Sequence, residues 1–186
     1  MIASIRAVRL LALCTAAIPL FLGPQAFSLG SRKMPRVAMA HVPQVGDSIS
    51  APHTSFSCVV NSAQTYPCFE AIVDGITFQV AFTGDGPLFR VADVRTIDLR
   101  FISPEGLKID DVIPISSRDD LILAPNYAVY ANRGKVWIPI IGFLDNVFVL
   151  DANGKQENVP IKEIHFDSGE IRVRITGFVQ WKGVNR

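Results

Sequence analysis

The chain has 186 residues, of which 49% are hydrophobic, 9% aromatic and 19% charged, a balance that supports a folded core and excludes a disordered polar chain. Its formal net charge of +1 hides an uneven distribution, because Arg6, Arg9, Arg32, Lys33 and Arg36 all precede Asp47, the first acidic residue. Removing 26 N-terminal residues leaves 16 basic against 17 acidic side chains, and removing 40 leaves 13 against 17; such a mildly acidic domain lacks the electrostatic footprint of a nucleic-acid binder.

Arg6 and Arg9 precede an uncharged apolar run from Leu10 to Leu22 that ends at Gly23-Pro24. A basic start, a run of about a dozen apolar residues and a helix-breaking end describe a secretory signal peptide. The run is short for a bilayer span, which needs about 20 apolar residues; left uncleaved, it would be the domain's one membrane attachment. Pro24-Gln25-Ala26 and Ala26-Phe27-Ser28 are the two cleavage options. Cys14 follows Leu13 rather than a small residue, which speaks against lipidation. The basic, acid-free stretch from Phe27 to Ala40 reads as a linker after a bacterial signal, and it also resembles the second part of a two-part algal plastid leader. The expected organisation is therefore a signal peptide over 1–26, a flexible or processed linker over 27–54 and one β-rich domain over 55–182. The destination is the periplasm or the exterior, with an algal plastid as the alternative.

Beyond the leader the cysteines are Cys58 and Cys68. In an exported chain such a pair reads as a disulfide. The turn residues between them suit a hairpin, and closing that loop contributes roughly 2–3 kcal/mol. The rival reading, Cys58 as a nucleophile with His53 as its base, needs a free thiol in an oxidising compartment.

From His41 to Ser55 the chain is punctuated by Pro, Gly and Ser and reads as an extended approach to the domain. Strands are then expected at Phe56–Val60, Phe69–Val73 and around Phe78, Val80 and Phe82, the last closed by a tight turn at Gly84-Asp85-Gly86-Pro87. Ile97, Leu99 and Phe101 alternate with Asp98 and Arg100, predicting another strand that Ser103-Pro104-Glu105-Gly106 breaks. Leu107–Ile115 is a short strand, and the serines before Arg118-Asp119-Asp120 suit the N-cap of one helical turn. Tyr127–Ala131, Val136–Phe143 and Val147–Leu150 follow as strands, with Pro139 predicting an edge position or a bulge. Asn153-Gly154 predicts a type I′ hairpin turn, and Ile161–Phe166 with Ile171–Phe178 form the last pair. No stretch holds a helical apolar period for three turns. The fold class is mainly β, a single antiparallel sandwich or small barrel.

The segment Thr96-Ile97-Asp98-Leu99-Arg100-Phe101-Ile102-Ser103-Pro104-Glu105-Gly106-Leu107 resembles one found in small exported bacterial β-domains of unassigned function, where a T-x-D-x-x-F strand runs into a [TS]-P-E-G-L turn. Those domains usually continue with a Gly-Asp pair, whereas this chain has Asp110-Asp111. The resemblance implies export and a β fold and brings no mechanism. Locally, Pro104 and Gly106 set the turn while Phe101 and Leu107 can pack beneath it.

Candidate chemistry is sparse. Glu163 and His165 have the i, i+2 spacing of strand metal ligands, but two residues do not complete a site. Asp110-Asp111 and Asp119-Asp120 are adjacent pairs whose side chains diverge on a strand, and Asp151-Ala152-Asn153-Gly154 opens like a calcium loop without the closing acid. Serine-nucleophile and phosphate-loop patterns are absent. Tyr127, Tyr130, Trp137 and Phe143 cluster in sequence as a candidate binding surface. Arg95, Arg100, Arg172 and Arg174 would form a basic strip if their strands adjoined. No cofactor or metal is expected. The expected function is a non-catalytic binding or accessory domain whose partner is a protein or another envelope component, set against a small hydrolase or metal-dependent enzyme whose site forms only in three dimensions, and against a plastid accessory protein.

Overall fold

Three long strands, Gln64–Val73 (β4), Ile76–Thr83 (β5) and Phe89–Thr96 (β6), form an antiparallel meander at the heart of the computed structural model. The structure describes residues 34–50, 55–61, 64–84, 88–124, 126–131, 135–166 and 169–180. The leader, His53 and the centre of the Gly84–Pro87 turn lie outside them. The remaining strands are β1 (Arg36–Ala38), β2 (Ser48–Ile49), β3 (Phe56–Asn61), β7 (Val112–Ile115), β8 (Leu121–Leu123), β9 (Tyr127–Tyr130), β10 (Trp137–Phe143), β11 (Asn146–Leu150), β12 (Gln156–Pro160), β13 (Ile171–Arg174) and β14 (Gly177–Gln180). They make one continuous sheet, not closed into a barrel, in the order β1-β4-β5-β6-β14-β10-β11-β13-β7 with the other strands attached at its sides. All pairings are antiparallel except β1 with β4.

The register shows how strands share edges. Glu70 pairs with both Arg36 and Gln79, and Cys68 with both Phe56 and Ala81. β1 and β3 therefore lie end to end along the side of β4 opposite β5. By the same reasoning β2 and β14 share one side of β6. The β10–β11 hairpin receives β14 along β10 and β13 along β11 on one side, so the continuous stretch Ile171–Gln180 passes from one strand of the hairpin to the other. Thr176, midway, donates its N–H to Ile140 O at 2.8 Å. Gly142 makes the hairpin possible, because a Cβ there would lie 1.8 Å from Asn146 O.

One face of this curved sheet buries a common core that draws Phe69, Phe78, Val94, Ile115, Trp137, Val173 and Phe178 from seven strands. Phe101 is its aromatic hub, with ring centroids 4.9 Å from Trp137, 5.1 Å from Phe178 and 5.7 Å from Phe78. On the other face β8 and β9 cover β10 and β14, burying Tyr127, Val129, Ile138, Ile140 and Val179. β10 is thus buried on both faces, which explains its unbroken apolar sequence.

Several expectations hold. Ser117 caps a 3-10 turn at Arg118–Asp120 with a complete capping box. Ser103 closes the Pro104–Gly106 turn by accepting from Gly106 N at 2.8 Å, and Phe101 and Leu107 pack on the core. Of the two features expected of Pro139 the bulge is present, as a register shift between Ile140 and Gly142, whereas β10 is an interior strand between β14 and β9 rather than an edge.

Other expectations are corrected. Ile97–Phe101 is not a strand, because Asp98 accepts from Thr77 N at 3.0 Å and Arg100 N at 3.1 Å and so folds the chain into a local turn. The true strand, β6, precedes it and is hidden from a period-two reading by a bulge that turns both Val91 and Val94 inward. Leu107–Asp111 is not extended either; only Val112–Ile115 joins the sheet. Ile161–Glu163 is a 3-10 turn burying Ile161 and Ile164, and the strand lies before it in the polar sequence Gln156–Pro160. The Asn153-Gly154 hairpin forms with only Gly154 at positive φ (78°), so it is not type I′; Asp74 (φ 50°) and Gly75 (φ 79°) supply that turn between β4 and β5. Part of the stretch read as linker also joins the sheet. β1 and β2 lie within it, and Gln180 fixes the segment between them by donating to Pro43 O at 2.9 Å and accepting from Val45 N at 3.0 Å.

Candidate functional site

Cys58 and Cys68 form a disulfide with Cα atoms 5.9 Å apart. In register Cys58 faces Tyr66 and Cys68 faces Phe56, so the bridge runs diagonally between β3 and β4. A chain of polar contacts starts there and crosses the sheet. Gln79 Nε2 donates to Cys58 Sγ at 2.9 Å, and Gln79 Oε1 accepts from Arg95 Nε. Arg95 Nε lies 3.9 Å from Asp93 Oδ1, and Tyr127 OH donates to Asp93 Oδ2 at 2.8 Å. The β6 bulge places Asp93 here, facing away from the core that Val91 and Val94 enter.

Asp93 is 6% exposed and Tyr127 7%. Burial raises the carboxyl's pKa above its ordinary value, with Arg95 and then the Tyr127 hydroxyl partly offsetting it. Burial, reinforced by Asp93, likewise pushes the phenol well above its usual range. Both groups are satisfied by each other in a closed site. They tie the β8–β9 hairpin to the β5–β6 meander across two elements with no shared ladder. Such a pair resists solvent and orders the fold; it presents no reactive atom to a substrate.

The four aromatics read as a binding surface are divided among three environments. Trp137 lies in the main core against Phe78 and Phe101, and Tyr130 packs against that core from its rim. Tyr127 is in the second core bonded to Asp93. Phe143 alone is largely exposed, at 54%. Three residues apart on β9, Tyr127 and Tyr130 point to opposite faces.

The carboxylates considered for catalysis or metal binding are engaged locally. Asp111 accepts from Lys108 N at 2.7 Å, Asp110 pairs with Arg174 at 3.6 Å, and Asp120 completes the capping box. Asp151 Oδ1 accepts from Asn153 N and Lys155 N at 2.9 and 2.7 Å, holding the hairpin loop. Glu163 and His165 are both exposed, on and after the 3-10 turn. Among the described residues no group of three or more His, Cys, Asp and Glu is placed to hold a metal ion. The arginines do not form a strip: Arg95 faces Gln79 and Asp93, Arg100 clasps Asp98, and Arg174 faces Asp110.

Two features were not legible as sites. A groove of about 570 Å³ beside β1 is floored by Val37, Met39 and Phe69 and rimmed by His41, Asp47 and Ser48. The second feature is a raised aliphatic patch. Ile97 is 75% exposed, Leu99 67%, Ile102 53% and Val136 52%. Nearby, Phe101 packs at a tilt against Trp137, and Lys135 meets Glu105 at 3.3 Å. The loop is held in shape by Asp98, whose carboxylate binds two backbone N–H groups and the Arg100 guanidinium. The Arg100 hydrogen bond, foremost, carries Asp98 well below the usual carboxylate range. No protein-family model matches this chain, and no match to it was found among curated proteins or among solved structures.

Proposed function

We propose that this chain is an exported β-domain that works by binding a protein partner of the cell envelope rather than by catalysis. The observation that carries the reading is the 97–102 loop, where isoleucine and leucine side chains stand in solvent on a backbone fixed by Asp98. A fixed apolar protrusion gives up little conformational entropy on docking, so its burial goes largely into affinity. The neighbouring charges are already paired, Asp98 with Arg100 and Glu105 with Lys135, leaving an apolar contact as the main attraction. Export is supported by the Met1–Ala26 leader pattern and by the Cys58–Cys68 bridge, which suits an oxidising compartment.

A photo-crosslinking side chain at Leu99, activated in the native envelope, tests the reading. One discrete crosslinked protein, lost when Ile97 is changed to Asp, is the expected result. Absence of any adduct at Leu99, together with turnover in a hydrolase screen, would reverse it in favour of an enzyme.

A further inference from the structure

Asparagine is a chemically labile residue, and a following glycine makes it more so. The backbone nitrogen of the next residue can attack the side-chain carbonyl, and glycine puts no side chain in the way. This chain has one Asn-Gly pair, Asn153-Gly154, at the tip of the β11–β12 hairpin. Both residues are exposed, and a Cβ built on Gly154 would meet nothing within 4 Å, so the space beside the attacking nitrogen is open. Asn146 and Asn158, on the two strands of the hairpin, are each followed by valine, whose branched side chain obstructs the same approach.

The turn also holds the reaction back. Asp151 Oδ1 accepts from Asn153 N at 2.9 Å and from Lys155 N at 2.7 Å. The main-chain oxygen of Asp151 accepts from Gly154 N at 3.0 Å, and its N–H donates to Lys155 O at 2.9 Å. Gly154 N is the nucleophile of the cyclisation, and here its hydrogen is committed to Asp151 O. Attack on Asn153 Cγ therefore requires the turn to open, and the bonds made by Asp151 set the fraction of time it is open.

We propose that Asn153 is a site of spontaneous modification, converted to aspartate and isoaspartate through a cyclic imide, with Asp151 as the clasp that sets its rate. Gly154 N gives up its proton and bonds to Asn153 Cγ, and the side-chain nitrogen leaves as ammonia. Water then opens the imide. Cleavage of the bond to Cγ gives aspartate, and cleavage of the original peptide bond gives isoaspartate, in which the main chain runs through the side chain. Both products place a new carboxylate near that of Asp151, and isoaspartate adds one atom to the main chain of the turn. Among the described residues β12 pairs with β11 alone, beginning at Leu150 opposite Gln156. The modification thus loosens β12 from its first pair and leaves the core strands in place.

Incubating the protein in mildly alkaline buffer, folded and in urea, tests this, with peptide mass mapping and methyl uptake from an isoaspartyl methyltransferase as readouts. Asn153 should change from amide to acid faster in urea than in the native state. Asp151→Ala removes the acceptor of two hydrogen bonds. It should raise the native rate at least about fivefold, the shift expected when two such bonds no longer hold the turn closed, and leave the rate in urea close to the parent's. Asp151→Asn keeps an acceptor at this position and should restore a native rate near the parent's. The comparison of folded with unfolded parent needs no variant, so it stands even if Asp151→Ala loses its native circular dichroism. Absence of product at Asn153 in urea would overturn the site. A native rate equal to the rate in urea, or a folded Asp151→Ala protein no faster than the parent, would overturn the clasp.

Discussion

Changing Tyr127 to Phe removes one hydroxyl from a closed pair, and its consequence depends on pH in a direction that can be worked out. Asp93 is nearly inaccessible and receives the phenolic hydrogen bond at 2.8 Å. With Asp93 ionised, losing that bond should cost about 1.5–3 kcal/mol, the range for a hydrogen bond to a charged group; with Asp93 protonated, the bond is neutral and worth about 0.5–1.5 kcal/mol. Burial raises the folded pKa of Asp93 above its ordinary value of 3.8. The folded state therefore holds this proton where the unfolded chain has released it, and Asp93 makes stability fall as pH rises from the unfolded value through the folded one. The Tyr127 hydroxyl works against that shift, so Phe at this position raises the folded pKa further and steepens the decline. The penalty should therefore grow as pH rises through the folded pKa of Asp93 and be smallest in acid. Urea unfolding of both proteins, followed by circular dichroism at neutral pH and at about pH 4, measures it, and titrations shared by the two proteins cancel in the difference. Asp93→Asn keeps an acceptor for Tyr127 without the charge, so adding Tyr127→Phe to that background should cost less than in the parent. A penalty that is the same at both pH values, or below about 0.5 kcal/mol at neutrality, would refute the assignment of Asp93–Tyr127 as a buried charged tie.

Three further outcomes follow from the backbone. Gly142→Ala should destabilise by at least about 3 kcal/mol or abolish folding, since its Cβ would meet the backbone of Asn146 at 1.8 Å and Val147 at 2.7 Å; soluble yield and the urea midpoint report it. Leu144 holds φ at 53° in the β10–β11 turn while 41% exposed, so Leu144→Gly should raise stability by about 0.5–1 kcal/mol, relief of left-handed strain outweighing the entropy of glycine; an unchanged or lower urea midpoint would count against it. Reducing the Cys58–Cys68 bridge should lower stability by roughly 2–3 kcal/mol, read as the difference in urea midpoint with and without dithiothreitol.

The β class was legible because most strands obey one of two rules, alternation or continuous apolar burial. β5 shows the first and β10 the second. The disulfide was legible because two cysteines ten residues apart flank a turn-rich stretch. Partner choice was not, since it depends on distant pairings. Nothing local says that Ile171–Gln180 divides between the two strands of a hairpin, or that β1 runs parallel to β4. The exposed strand β12 was missed because Gln156-Glu157-Asn158 carries no apolar signal, and its pairing comes from backbone bonds to β11 rather than from burial.

The site was less legible than the fold, for two connected reasons. Asp93 looked like an ordinary charged residue of a mixed segment, and only the bulge in β6 turns it toward Tyr127, a contact between positions 34 apart. The second case is sharper. Ile97-Asp98-Leu99-Arg100-Phe101 carries the cleanest alternation outside β5, yet Asp98 overrides it by binding Thr77 N and Arg100 N. Had the segment continued β6 as a strand, Ile97, Leu99 and Phe101 would all have lain on the face of Asp93 and Arg95, away from the core that Val94 enters. Because it turns, Phe101 is drawn into the core while Ile97 and Leu99 are left outside. Local rules fail most often where a structure gives up packing for another purpose. A sequence with two aliphatic residues in solvent, and an aspartate fixed by hydrogen bonds to keep them there, meets that description, which is why the proposed partner surface is placed on this loop rather than on the aromatic strands.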